Sequence, residues 1–153
     1  MWYFPFLYLS IYFSDMRIMA IDYGKKRTGI AVTDPLQIIA QGLTTVDTHM
    51  ALVFLREYMG KEPVELILVG EPRNLDDTPT DATEGALAFV KKLKRHFPQV
   101  RVETVDERFS SKMAVRAMID MGMKKKDRQK KGLIDEIAAT MLLQEYLQQR
   151  SAT

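Results

Sequence analysis

Cysteine is absent from the chain. That excludes disulfides and thiolate zinc centres and fits a reducing cytoplasm, the compartment expected for this protein. Histidine is nearly absent too: only His49 and His96 occur, both in polar surroundings that suit solvated surface positions. So sparse a supply leaves little basis for histidine-activated nucleophiles or imidazole-rich metal sites, and any hydrolytic chemistry has to rest on carboxylates. Net charge is low, +2 at pH 7, so its distribution says more than its sum. There is no internal repeat, no low-complexity tract and no apolar run long enough to span a bilayer, so no membrane partner is expected.

What is present is an ordinary globular composition, 46% hydrophobic and 27% charged, at a length suited to one domain with a single core. Met1–Asp15, MWYFPFLYLSIYFSD, stands apart: it is dense in aromatics, uncharged before Asp15, and lacks the basic start and small-residue cleavage site of a signal peptide. From Met16 the chain reads as a compact α/β domain, expected over 16–150, with 1–15 as a non-native or disordered extension. A membrane-surface anchor is the competing reading of those first residues.

The domain is organised around Arg17–Thr33, RIMAIDYGKKRTGIAVT. Ile18–Ile21 is a short apolar run of the kind that forms a strand buried on both faces. Asp22 ends it, Tyr23-Gly24-Lys25-Lys26 is turn material, and Thr28–Thr33 is apolar and β-branched again. Ala40–Val46 reads as a third strand. Asp47-Thr48 can cap a helix running to about Gly60, with Leu52, Leu55, Arg56 and Met59 at helical spacing. Val64–Gly70 is another buried-strand run, and Arg73–Asp81 is a polar loop. Thr83–Phe97 is an amphipathic helix stopped by Pro98, and Val100–Val105 alternates like a strand. Ser110 can cap a helix closed by Gly122, Lys124–Lys131 is a basic loop, and Leu133–Gln149 is the last helix. The sum is a mixed five-stranded sheet with helices on both faces, an α/β architecture whose sites gather beyond the carboxyl ends of parallel strands.

Three acids stand out by position. Asp22 ends the first strand, Glu107 follows the last, and Asp135 lies in the first turn of the last helix. If the first and last strands are parallel, Asp22 and Glu107 open onto one edge. On the last helix Asp135, Ala138, Ala139, Leu142 and Tyr146 share a face by 3.6-residue periodicity, which turns Asp135 inward, where a lone carboxylate is expensive. The bland readings are that Asp22 caps its own turn and Asp135 favours a helix N-terminus. Three converging carboxylates instead call for a divalent cation, and hard oxygen ligands suit Mg²⁺ or Mn²⁺. Lys25, Lys26 and Arg27 follow Asp22, while Lys124, Lys125, Lys126, Arg128, Lys130 and Lys131 precede Asp135. Flanking an acidic cluster on both sides, these basic runs look like a clamp for a phosphate backbone; the simpler alternative is a solvated face.

Four segments, in order, resemble the YqgF family: Asp22-Tyr-Gly-Lys-Lys-Arg27-Thr-Gly29-Ile-Ala31, Val69-Gly70-Glu71-Pro72, Asp106-Glu107-Arg108-Phe-Ser-Ser, and Lys131-Gly132-Leu-Ile-Asp135-Glu-Ile-Ala138-Ala139. The resemblance runs from about Met16 to Leu147. It implies a ribonuclease H-like fold related to Holliday-junction resolvases, and a bacterial cytoplasmic nuclease that trims the 5′ end of the small-subunit ribosomal RNA precursor. The family's acidic residues fall on Asp22, Glu107 and Asp135, as catalytic groups and ligands of Mg²⁺ or Mn²⁺, and Arg108 joins the basic residues expected at nucleic acid. Two departures stand out. The family usually carries an apolar residue at Glu71, where related resolvases have a catalytic acid, so Glu71 is a candidate fourth ligand. The loop Asp76–Asp81 lacks the family's usual glycine.

Other functions compete. Resolution of branched DNA would require a symmetric dimer, whereas RNA trimming needs only a monomer or weak homodimer. A non-catalytic nucleic-acid-binding module would have no use for the acids. An ATP-binding fragment of the actin and sugar-kinase fold would need a second domain, for which the chain is too short.

Overall fold

The computed structural model describes residues 15–72, 76, 78–106, 116–128 and 130–152, with the side chains of 128 and 131 left aside. A five-stranded sheet forms the centre, in the order β3-β2-β1-β4-β5. Its strands are β1 (Arg17–Tyr23), β2 (Arg27–Thr33), β3 (Ala40–Asp47), β4 (Val64–Glu71) and β5 (Arg101–Asp106). β1, β2 and β3 pair antiparallel, while β4 pairs parallel with both β1 and β5. The first and last strands are therefore parallel, as the expectation for Asp22 and Glu107 required, although Glu107 itself lies outside the described residues.

Strand alternation divides the core in two. Met19, Ile21, Ile30, Ile67 and Val69 face helices α1 (Ala51–Met59) and α2 (Asp81–His96), meeting Leu55, Phe89, Val90 and Leu93. On the opposite face Ile18, Ala20, Ala31, Leu66 and Leu68 meet Ala139, Leu142, Leu143 and Leu147 of the long helix α4 (Lys131–Ser151). Leu143 is fully buried; side chains of this kind contribute roughly 1.5–3 kcal/mol each when removed from water. The stripe read from the sequence holds: Ala138, Ala139 and Leu142 are buried and Tyr146 packs at their edge.

Element ends depart from expectation for local reasons. Neither Asp47 nor Thr48 caps α1 through its side chain. The Thr48 hydroxyl instead donates to the Gly24 carbonyl at 2.6 Å and meets Thr28 Oγ1 at 2.9 Å, fastening the β1–β2 turn. α1 is preceded by one 3-10 turn, Thr48–Met50, and Arg56 is exposed rather than part of its buried face. α2 starts two residues before the expected Thr83, because Thr80 and Thr83 form a capping box in which the Thr80 amide donates to Thr83 Oγ1 at 2.8 Å. Residues 116–120 are helical and end as expected at Gly122, whose φ of 74° closes a Schellman motif through Gly122 N to Ile119 O and Met123 N to Met118 O. The Ser110 cap lies outside the described residues. The basic stretch is not all loop: Lys125–Arg128 forms a short helix, α3, and α4 begins at Lys131 rather than Leu133.

Candidate active site at the β1 end

Asp22 lies on the face of the sheet that carries Ile18 and Ala20, the face covered by α4. Directly opposite it on β2 is Gly29. A Cβ on Gly29 would collide with the Asp135 carbonyl and the Glu136 amide nitrogen, so the first turns of α4 rest on β2 where a side chain would otherwise stand. Gly42 on β3 similarly makes room for the Glu136 side chain, and Thr45 Oγ1 donates to the Gly132 carbonyl. These small residues lower the N-terminal end of α4 onto β2 and β3, and with it Asp135 arrives beside the residue that faces Asp22. Two of the three acids picked out in the sequence are thus brought to one corner by register and close packing.

Asp135 is a carboxylate under tension. Its side chain is 25% exposed, and the Arg27 Nε donates to its Oδ2 at 3.2 Å. Burial pushes its carboxyl above the ordinary value, an effect that the Arg27 hydrogen bond and charge only partly offset. Desolvation wins over the ion pair because a single, partly exposed N–H bond returns less than the lost hydration.

The other expected residues fall into three groups. Lys25 and Lys26 are exposed on the turn before Arg27. Lys124, Lys125 and Lys126 are exposed on the segment leading into α4, and Lys130 pairs with Asp127 at 3.5 Å while keeping 67% of its side chain exposed. Both basic stretches therefore adjoin the corner that holds Asp135. Arg27 is the exception, engaged with an acid and only partly open to solvent. Glu107 and Arg108 lie outside the described residues, as do the side chains of Arg128 and Lys131. Glu71 ends β4 in register with Asp106, and alternation from Ile67 and Val69 assigns it to the α1/α2 face, opposite the one that carries Asp22. Among the described residues no three acidic or histidine side chains form a group that could hold a metal ion; the third acid expected there is Glu107. His49 and His96 are exposed, as the sequence suggested, and no helix among the described residues is long and apolar enough to cross a membrane.

Gly29 and Arg27 are the residues whose roles the sequence reading passed over. An isolated glycine inside a strand is a signal of close backbone approach, and Gly29 carried it. Nothing local marks Arg27 as the partner of a residue so far along the chain.

Sheet order, crossovers and the helix across the β1–β2 hairpin define a ribonuclease H-like fold. Thermus thermophilus RuvC shares it: the structure solved with a Holliday junction substrate superposes with a TM-score of 0.51 at 21% identity, covering 90% of this chain and 97% of that one. A family profile described as "RuvX: Holliday junction resolvase" matches residues 16–149, and the chain belongs to this RuvX (YqgF) family. Among its relatives, a protein of Flavobacterium psychrophilum is 56% identical over 131 residues, 86% of this chain and 96% of the relative. One from Phocaeicola vulgatus is 55% identical over 134 residues, 88% of this chain and 96% of the relative. Both bear the provisional name pre-16S rRNA nuclease.

Proposed function

We propose that this chain is a divalent-metal-dependent nuclease that hydrolyses phosphodiester bonds at the 5′ end of the small-subunit ribosomal RNA precursor. The single observation that carries the reading is the corner where Gly29, the residue facing Asp22, seats the first turns of α4 and with them Asp135, with basic stretches adjoining it. Relatives at 55–56% identity, matched over 96% of their length and named for that substrate, support the choice of RNA. The donor set fits Mg²⁺ or Mn²⁺: Asp22 and Asp135 offer hard carboxylate oxygens, a cationic guanidinium already stands against one of them, and Mg²⁺ is commonly held by one or two carboxylates plus substrate phosphates. Asp22, Asp135 and Glu107 would hold the ion. When bound, such an ion supplies Lewis-acid polarisation of the phosphodiester and a water acidic enough to attack it at neutral pH.

The chain's own residues do the rest. Lys25, Lys26, Lys124, Lys125 and Lys126 draw the phosphate backbone toward the acids without reading bases. Packing of α4 on Gly29 keeps Asp135 in place, so little reorganisation is needed when substrate arrives. The protein works as a monomer or weak homodimer in the cytoplasm.

The test is a cleavage assay with purified protein on ribosomal precursor RNA and on a four-way DNA junction, with Mg²⁺ and with Mn²⁺, alongside Asp135→Asn. Metal-dependent cleavage of the RNA, lowered by orders of magnitude in Asp135→Asn, is expected. Preferential symmetric cutting of the junction by a dimer would replace this reading with branched-DNA resolution. A folded Asp135→Asn protein that cleaves at the wild-type rate would remove the carboxylate mechanism.

A further inference from the structure

Arg27 is placed to serve two partners in turn. Its Nε donates to Asp135 Oδ2, and among the described residues that is its side chain's one hydrogen bond, so its two terminal nitrogens have no partner there. Two residues from Gly29 on β2, it shares the face that α4 covers and stands diagonally across the strand pair from Asp22. That separation is within reach of a long side chain. The pair it forms is partly exposed, 36% on Arg27 and 25% on Asp135, so solvent screens it and its net worth is small. A divalent ion attracted by two carboxylates outcompetes a single guanidinium hydrogen bond. A guanidinium freed beside that ion is planar, permanently charged and shaped for two bonds to a phosphate.

We infer that Arg27 is the resident counter-ion of Asp135: a positioning residue that holds this carboxylate until a divalent cation takes it, and then turns to a substrate phosphate. The inference rests on the metal-dependent nuclease reading above and adds an exchange to it. Arg27 thereby couples metal arrival to substrate capture, because a two-bond grip on phosphate through Nε and a terminal nitrogen opens only once Asp135 has another partner.

Two measurements test the exchange, neither of which needs turnover. The first is a calorimetric isotherm for Mn²⁺ and Mg²⁺ with wild type and Arg27→Ala, with Arg27→Gln taking its place where the alanine variant does not fold. Removing the competitor and its positive charge should tighten metal binding by up to about fivefold, the upper worth of a partly exposed ion pair. A residue that merely packs α4 onto the sheet would leave metal affinity unchanged or weaker, and that result overturns the exchange. The second is precursor RNA affinity in EDTA, as a double-mutant cycle with Asp135→Asn. Arg27→Ala should change affinity by less than about twofold in the wild-type background, where Arg27 is tied to Asp135. In the Asp135→Asn background, where its partner carries no charge and holds it less tightly, the loss should reach roughly fivefold. Equal losses in both backgrounds refute the hand-over. Wild-type protein that binds neither ion would sink the metal reading and the exchange together, whereas wild type that binds metal and Arg27→Ala that binds it no more tightly would sink the exchange alone.

Discussion

Gly29→Ala probes the joint on which the whole site depends. The added methyl would overlap the Asp135 carbonyl and the Glu136 amide nitrogen, both main-chain atoms, so no rotamer change can clear it. Either α4 lifts from β2 or β2 bends, and overpacking of this sort costs about 1–3 kcal/mol. The contact is tighter than real side chains tolerate, which argues for the upper part of that range; alanine's lower conformational entropy in the unfolded chain returns roughly 0.5–1 kcal/mol. A net loss of about 2 kcal/mol lowers Tm by roughly 4–8 °C in a domain of this size. Gly132→Ala is the internal control, because a Cβ there meets only the Thr45 side chain at 3.7 Å, an ordinary contact. Inside a helix that change should be neutral or stabilise by up to about 1 kcal/mol. Scanning calorimetry on the three proteins reads the ordering directly. Cleavage measured well below Tm should fall further in Gly29→Ala than lost stability explains, since a shift of about 1 Å between catalytic groups can cost about 100-fold. A Gly29→Ala protein that melts with or above wild type, or alongside Gly132→Ala, would show that α4 is not seated on that glycine.

Further outcomes are expected elsewhere in the molecule. Burial holds the Asp135 carboxyl above its ordinary value, so the stability linked to its proton is complete below the ordinary carboxylate range and is lost as pH rises through the higher folded value. Metal-free Asp135→Asn should therefore gain on wild type in melting temperature as pH is raised through that window; a constant difference between pH 3 and pH 7 (about neutral) would refute this. Asp34 accepts backbone N–H bonds from Leu36, Ile38 and Ile39 at 2.7–3.1 Å, and the Ile39 bond above all holds its carboxyl below the ordinary value. Asp34→Ala should cost roughly 0.5–2 kcal/mol at neutral pH, as caps do, and the deficit should vanish as acid protonates Asp34 through its lowered value in wild type, which pH-dependent melts would record. Replacing Lys124, Lys125 and Lys126 together with alanine should weaken nucleic-acid binding alike across sequences and flatten its salt dependence, by a slope of up to about 0.9 per lost phosphate contact; unchanged affinity at low salt would mark the run as solvated only.

Much of the fold was legible because burial writes periodicity into sequence. Ile18–Ile21 and Val64–Gly70 are continuous apolar runs because those strands, β1 and β4, are covered on both faces, by α1 and α2 on one side and α4 on the other. Asp135 could be picked out as turned inward because it shares a stripe with Ala138, Ala139 and Leu142, and a helix keeps that geometry whatever surrounds it. Asp22 was marked by ending a continuous apolar run, but its face became apparent only once the two core clusters showed which strand residues meet α4. Element ends were less legible where a hydroxyl had a choice: Thr48 serves the β1–β2 turn instead of α1, and which partner it takes depends on what the fold brings near.

The sequence by itself determined the five strands and the three longer helices α1, α2 and α4, which acids end at strand tips or face inward, and where basic charge collects, since each follows from neighbours a few residues away. Tertiary structure alone decided that Gly29 is the seat of α4, that Arg27 pairs with Asp135, and that alternation turns Glu71 to the face opposite Asp22. Each of those depends on two distant segments meeting in one register, and a contact between distant segments leaves no local period to read.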